Sequence, residues 1–144
     1  MPRSTLQDLT RNDWTLIESK AKRIRFKLGD EIITEGAQID HLYILRSGPA
    51  SVELEGTTSR AVIATLSAGD VSGEMAFLGD STATAAVVAK DEVEVDAIWA
   101  DDLRELVAVF PGFGVRFYRS LAVLLAQRLR ETSKELLREM TKKQ

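Results

Sequence analysis

The middle of the chain is cut by turn chemistry at short intervals, and that spacing excludes most folds. Gly29-Asp30, Glu35-Gly36, Ser47-Gly48-Pro49, Glu55-Gly56, Ala68-Gly69-Asp70 and Asp91-Glu92 each favour a turn. Between them lie Glu31-Ile32-Ile33, Leu42-Tyr43-Ile44-Leu45, Ala50-Ser51-Val52-Glu53-Leu54, Ala61-Val62-Ile63-Ala64-Thr65-Leu66, Ala85-Ala86-Val87-Val88 and Val93-Glu94-Val95-Asp96-Ala97-Ile98. These runs are too short for helices of ordinary length and are rich in β-branched residues, so residues 26–100 are expected to form short strands that close into a β-roll. The fold class is therefore mainly β with flanking helices, a roll or a barrel.

The flanks read differently. Asn12 or Asp13 is expected to cap a helix carrying Trp14, Leu16 and Ile17, and residues 1–25 form an N-terminal helical element. After Pro111 the apolar period becomes helical through Phe113, Phe117, Tyr118, Leu121, Leu124, Leu125 and Leu129, and continues to Leu136 and Met140. Residues 101–144 are read as C-terminal helices, with a break near Gly112 or Gly114. Residues 121–126 are apolar all round, more than one side of a small roll needs, so a homodimer through Tyr118, Leu121, Leu125 and Leu129 or their neighbours is expected. Residues 127–144 interleave basic and acidic side chains in favourable helical pairs such as Glu135 with Arg138, the pattern of a solvated surface. At 144 residues the whole chain, 1–144, reads as one domain.

Several function classes drop out on composition. A net charge of −3 gives no general attraction to nucleic acid or anionic membrane. With no cysteine there is neither a disulfide nor a thiolate metal site, in keeping with a cytoplasmic protein. No stretch has the length of a membrane span or the apolar core of a secretion signal. His41 is the one histidine, read as a surface residue at a strand edge, so a histidine-rich metal centre and a Ser/His/Asp triad have nothing to build on. The expectation is a protein that is not an enzyme and holds no metal or cofactor.

The segment that remains to be explained is residues 72–85. Gly73-Glu74-Met75-Ala76-Phe77-Leu78-Gly79-Asp80-Ser81-Thr82-Ala83-Thr84-Ala85 offers a glycine for close backbone approach, a short apolar helix, and hydroxyls beyond it. Those are the parts of a phosphate-cradling loop without its cation, because no Lys or Arg occurs between Val71 and Ala89. Phe77 and Leu78 read as core packing, and Thr82 and Thr84 read equally as strand surface.

Residues 26–129 resemble the cyclic nucleotide-binding domain family of the catabolite-regulator and protein-kinase-A-regulatory type. The resemblance is carried by Leu28-Gly29-Asp30-Glu31-Ile32-Ile33-Thr34-Glu35-Gly36, by Asp40-His41-Leu42-Tyr43-Ile44-Leu45-Arg46-Ser47-Gly48, by Leu66-Ser67-Ala68-Gly69-Asp70, and by Ser72-Gly73-Glu74-Met75-Ala76-Phe77-Leu78 as the start of the phosphate-binding cassette. It implies a β-roll of the jelly-roll or double-stranded β-helix kind and a ligand-binding cassette of Gly73, Glu74, Met75, Ala76, Ala83, Thr84 and Ala85, with cyclic AMP or cyclic GMP as the ligand. In the family a glutamate holds the ribose 2′-hydroxyl, an arginine the cyclic phosphate, and a Ser or Thr stands beside that arginine. Glu74 matches the glutamate and Thr84 the hydroxyl, but Ala83 stands where the arginine belongs.

Loss of one partner of a buried charge-assisted pair costs on the order of 2–5 kcal/mol, so an affinity near micromolar would fall by roughly one to several decades. Arg46, Arg60 and Lys90 are the cations considered as substitutes. Glu74 has an alternative role, bracing the cassette helix without any ligand. Arg128-Leu129-Arg130-Glu131-Thr132-Ser133 is similar to the dimer-helix segment of catabolite-type regulators, which would make Thr132 and Ser133 base contacts; both also read as polar residues on an exposed helix. Two functions follow: a regulatory or sensor domain with weak or altered nucleotide binding, and an orphan domain that serves as a protein-interaction or dimerisation module. No helix-turn-helix follows the long helix in this sequence, so direct DNA binding is not expected.

Overall fold

A computed structural model describes residues 6–79 and 82–142. Eight strands form two antiparallel four-stranded sheets. One contains β1 (Lys22–Phe26), β8 (Val93–Trp99), β3 (His41–Leu45) and β6 (Val71–Ser72), in that order; the other contains β2 (Glu31–Ile33), β7 (Ala86–Ala89), β4 (Ala50–Glu55) and β5 (Arg60–Leu66). The helices are α1 (Arg11–Lys20), α2 (Glu74–Leu78), α3 (Ala100–Val109) and α4 (Pro111–Lys142).

Six of the eight strands fall where the β-branched runs predict; β1 occupies Lys22–Phe26, largely inside the stretch 1–25 that the sequence assigns to a helical element, because its residues pair with β8, and the two-residue β6 is too short to carry a sequence pattern. Alternation along β8 explains how two cores coexist. Val93 and Val95 point between the sheets with Leu45, Ala50 and Val87, while Ile98 points outward to the helices. The outer core is the larger in side-chain volume, with Leu42 and Val71 from the sheet meeting Leu103 of α3 and Phe113, Phe117 and Leu121 of α4. Phe77 of α2 meets Phe117 edge-on at 5.1 Å between ring centroids, which joins the cassette helix to that core.

Three details of the helices correct the sequence reading. The cap of α1 is Thr10 rather than Asn12 or Asp13; its side chain accepts from Asp13 N–H while the Asp13 carboxylate accepts from Thr10 N–H, a reciprocal capping box. No break occurs at Gly112 or Gly114, because α4 starts at Pro111, whose missing N–H is harmless in a first turn, and runs unbroken to Lys142. Gly114 instead allows close helix packing, since a Cβ there would lie 2.9 Å from Cγ1 of Val107 on α3. Leu121 is 1 % exposed and belongs to the protomer's own core, and Leu125 is half-buried, so of the four expected dimer residues Tyr118 and Leu129 remain at the surface.

Charge on the open sheet face is largely paired. Arg23 and Arg46 both reach Asp96, at 3.3 and 3.0 Å, and Arg25 reaches Glu92 and Glu94. This gives the edge strand β1 a charged surface that resists further strand pairing. The edge strand β5 is the opposite case, with Val62 and Ile63 exposed and no charge between Arg60 and Leu66. Among the described residues no helix is long and apolar enough to cross a membrane.

Candidate functional site

The cassette begins where β6 delivers the chain to Gly73. With φ at +85° this residue is left-handed, and a Cβ would run into the carbonyl oxygen of His41, so both conformation and space demand glycine. The turn starts α2 directly beneath β3. His41 is not a free surface residue: its side chain is 20 % exposed, its Nδ1 lies 2.7 Å from Asp40 Oδ1, and its ring lies 3.8 Å from that of Trp99. Burial pushes the Tyr43 hydroxyl above its ordinary pKa on the same strand.

α2 is a single five-residue turn, and arginines from two other helices hold its two ends. At the N-terminal end Arg128 of α4 donates from Nη1 to Glu74 Oε1 at 2.7 Å and from Nη2 to the carbonyl of Val71. At the C-terminal end Arg104 of α3 donates from Nη2 to the carbonyl oxygen of Ala76 at 2.8 Å and to that of Phe77 at 3.5 Å. Its guanidinium carbon also sits 5.8 Å from the centre of the Phe77 ring. The last carbonyls of a short helix lack intrahelical partners, and Arg104 supplies one.

The N-cap of α2 is Gly73, which has no side chain to offer, and among the described residues the Glu74 carboxylate bonds no N–H of α2. Glu74 braces α2 to α4 instead, with a side chain only 10 % exposed against 31 % for Arg128. Arg128 is not among the substitute cations that the sequence suggests, yet its position is legible there. Phe117, Leu121, Leu124 and Arg128 follow at intervals of four, three and four, so Arg128 extends the buried stripe of α4 by one turn. The three suggested cations are engaged elsewhere. Arg46 is with Asp96, Arg60 bonds Glu31 at 2.8 Å and Glu55 at 3.0 Å, and Lys90 lies 2.7 Å from Glu53.

The remaining cassette positions divide sharply. Ala76 is 4 % exposed and Met75 43 %; Phe77 is core as expected, but Leu78 is 42 % exposed. Ala83 is buried in the core between the sheets, its N–H donating to the Ala37 carbonyl at 2.9 Å and its own carbonyl accepting from Gly36 N–H at 2.8 Å. Those bonds tie the far arm of the cassette to the turn after β2. Thr84 is exposed and Ala85 half-buried, while Asp80 and Ser81 lie outside the described residues. Thr132 and Ser133 are exposed on α4 one turn beyond Arg128. Among the described residues no cluster of His, Cys, Asp and Glu is arranged to hold a metal. A cleft of about 270 Å³ lined by Glu18, Ala21, Arg23, Arg46 and Asp96 shares no residue with the cassette.

Two antiparallel sheets rolled together, a one-turn helix at their mouth and a long helix over it define the jelly-roll class of regulatory domains. The Thermus thermophilus catabolite activator protein superposes with a TM-score of 0.78 at 29 % identity, covering 92 % of this chain and 62 % of that one. Residues 23–109 match the family model described as cyclic nucleotide-binding domain, and the chain belongs to that family. Cyclic GMP-binding protein C of Dictyostelium discoideum is 36 % identical over 126 residues, which is 85 % of this chain and 5 % of that protein. The cAMP-dependent protein kinase regulatory subunit of Yarrowia lipolytica is 38 % identical over 79 residues, covering 55 % of this chain and 20 % of the relative. The chain thus corresponds to a small part of each of these two relatives.

Proposed function

We propose that the chain is a non-enzymatic, cytoplasmic regulatory domain whose cassette senses a nucleotide-class ligand and binds cyclic AMP or cyclic GMP weakly, because Ala83 stands in the place of the cassette arginine. The observation that carries this reading is the Glu74–Arg128 pair. Glu74 belongs to α2 and Arg128 to α4, so a ligand that engages the Glu74 carboxylate changes what holds the long helix, and the position of the helix changes the affinity for the ligand by the same factor. Occupancy is thereby converted into the angle or order of α4.

The output element is the outer part of α4. Residues 129–142 are exposed on every side, and Leu129, Ser133, Leu136 and Met140 follow at intervals of four, three and four. That is the seam spacing of a two-stranded coiled coil, with Ser133 as its polar member. It moves the homodimer interface outward from the buried Leu121 to Leu129, Leu136 and Met140. In this arrangement Ser133 faces a second copy.

Calorimetric titration with cyclic AMP and cyclic GMP tests the sensor reading. The wild-type chain is expected to bind with a dissociation constant weaker than roughly 30 micromolar, and Ala83→Arg to bind at least about tenfold more tightly. Failure of both proteins to bind at millimolar ligand, with the variant folded by circular dichroism, would remove the sensor reading in favour of a protein-interaction module.

A further inference from the structure

We propose that the ligand preferred by this cassette is an uncharged nucleoside, a base on a ribose with free hydroxyls, rather than a cyclic nucleotide. The inference deepens the sensor reading and rests on it. It follows from charge accounting at α2. The segment from Val71 to Ala89 contains no Lys or Arg, and Asp70 and Glu74 are both acidic. Among the described residues the cation bonded to the cassette glutamate is Arg128, which donates from Nη1 to Glu74 Oε1 at 2.7 Å and from Nη2 to the Val71 carbonyl. Arg104, at the other end of α2, has its own terminal nitrogens on Asp101 and on the Ala76 and Phe77 carbonyls.

A cyclic phosphate brings one negative charge to this site. Arg128 has further N–H groups and can reach a phosphate while it keeps Glu74, but its single positive charge then serves two anions, and the Glu74 side chain is only 10 % exposed. A second anion beside a poorly solvated carboxylate is repelled by it, and a full turn of Arg128 to the phosphate would leave Glu74 without a counter-charge. A neutral ligand avoids the conflict. Among the described residues no hydrogen bond goes to Glu74 Oε2, and an ionised carboxylate accepts at both oxygens, so a ribose hydroxyl can donate to Oε2 while Oε1 keeps Arg128. The Glu74–Arg128 pair then remains intact, and the hydroxyl adds a charge-assisted hydrogen bond.

The test is calorimetric titration of the full chain with adenosine, guanosine, cyclic AMP and cyclic GMP, each to about 5 millimolar, a concentration that registers binding as weak as about 3 kcal/mol. In the wild-type protein the nucleoside is expected to bind as tightly as its cyclic nucleotide or more tightly. In Ala83→Arg the order is expected to invert, because the added guanidinium pairs with the phosphate and offers a nucleoside nothing. Glu74→Gln checks the contact itself, with at least a tenfold loss of nucleoside affinity in a protein whose circular dichroism is unchanged. A wild-type protein that binds the cyclic nucleotide more tightly than the nucleoside overturns the inference and leaves the sensor reading standing. A wild-type protein that binds none of the four ligands also overturns the inference, and the sensor reading falls with it only if Ala83→Arg binds none of them either.

Discussion

Separating α4 from the cassette should have a measurable cost, and the geometry sets its size. Arg128 Nη1 and Glu74 Oε1 are 2.7 Å apart, with side chains 31 % and 10 % exposed. Two unit charges about 4 Å apart at an effective dielectric near 20 attract by about 4 kcal/mol, and desolvation of the carboxylate takes back a large part of that. Arg128→Gln leaves Glu74 without its counter-charge and also removes the bond to the Val71 carbonyl, so a loss of about 2–3 kcal/mol is expected. Glu74→Gln should cost about 1 kcal/mol, because Arg128 keeps its bond to Val71 and is more open to water. The double variant should lose about 2 kcal/mol, less than the sum of the singles, which gives a coupling of about 1–2 kcal/mol. Urea unfolding of the four proteins reads each value, and each kcal/mol should appear as a shift of about 3–4 °C in Tm for a domain of this size. Additivity of the singles to within about 0.5 kcal/mol would show that the pair does not couple, and the proposed link between cassette and long helix would fall with it.

Two further outcomes are expected. Asp13 accepts from Arg116 at 2.6 and 2.9 Å with a side chain 1 % exposed, and Arg116 holds its carboxyl below the usual carboxylate range against the upward push of burial. A lowered carboxyl pKa contributes stability that is present above the unfolded value of about 4 and lost as pH falls through the folded value. Asp13→Asn should therefore cost about 2 kcal/mol near neutral pH, with a gap to wild type that closes below about pH 4; urea midpoints across that range check it, and a gap that widens in acid would contradict it. Sedimentation of the wild-type chain at high micromolar concentration should give twice the 15.9 kDa protomer mass, and Leu136→Glu combined with Met140→Glu should give the protomer mass at unchanged Tm, since both residues are exposed. A wild-type protein that sediments as a monomer removes the coiled-coil seam.

Much of this molecule is legible along the chain because the forces involved act between near neighbours. Turn residues separate the strands, and β-branched runs such as 61–66 and 93–98 can satisfy their backbone in few other ways. The stripe of α4 through Phe117, Leu121 and Leu124 follows from a period of 3.6 residues. The family is likewise readable from its glycine-centred motifs, and so is the lack of any Lys or Arg between Val71 and Ala89.

What the sequence could not decide is which groups meet across large separations. The reciprocal cap of α1 joins Thr10 and Asp13, and the same Asp13 carboxylate takes Arg116 from 103 residues along the chain, a partner that no local pattern announces. Leu121 and Leu129 look alike in sequence, yet α3 and the sheet bury one and leave the other in solvent. Arg46, Arg60 and Lys90 were equal in charge to Arg128, but each is consumed by acids on its own sheet face, while Arg128 arrives at Glu74 from 54 residues away. Local propensity and periodicity determined most of the elements and their faces, and the stretch between Val71 and Ala89 carries no Lys or Arg whatever the fold. Packing of α4 over the mouth of the roll alone decided that the cassette glutamate has a partner and which one it is, because ion pairing depends on distance in space and a chain encodes that distance only once it has folded.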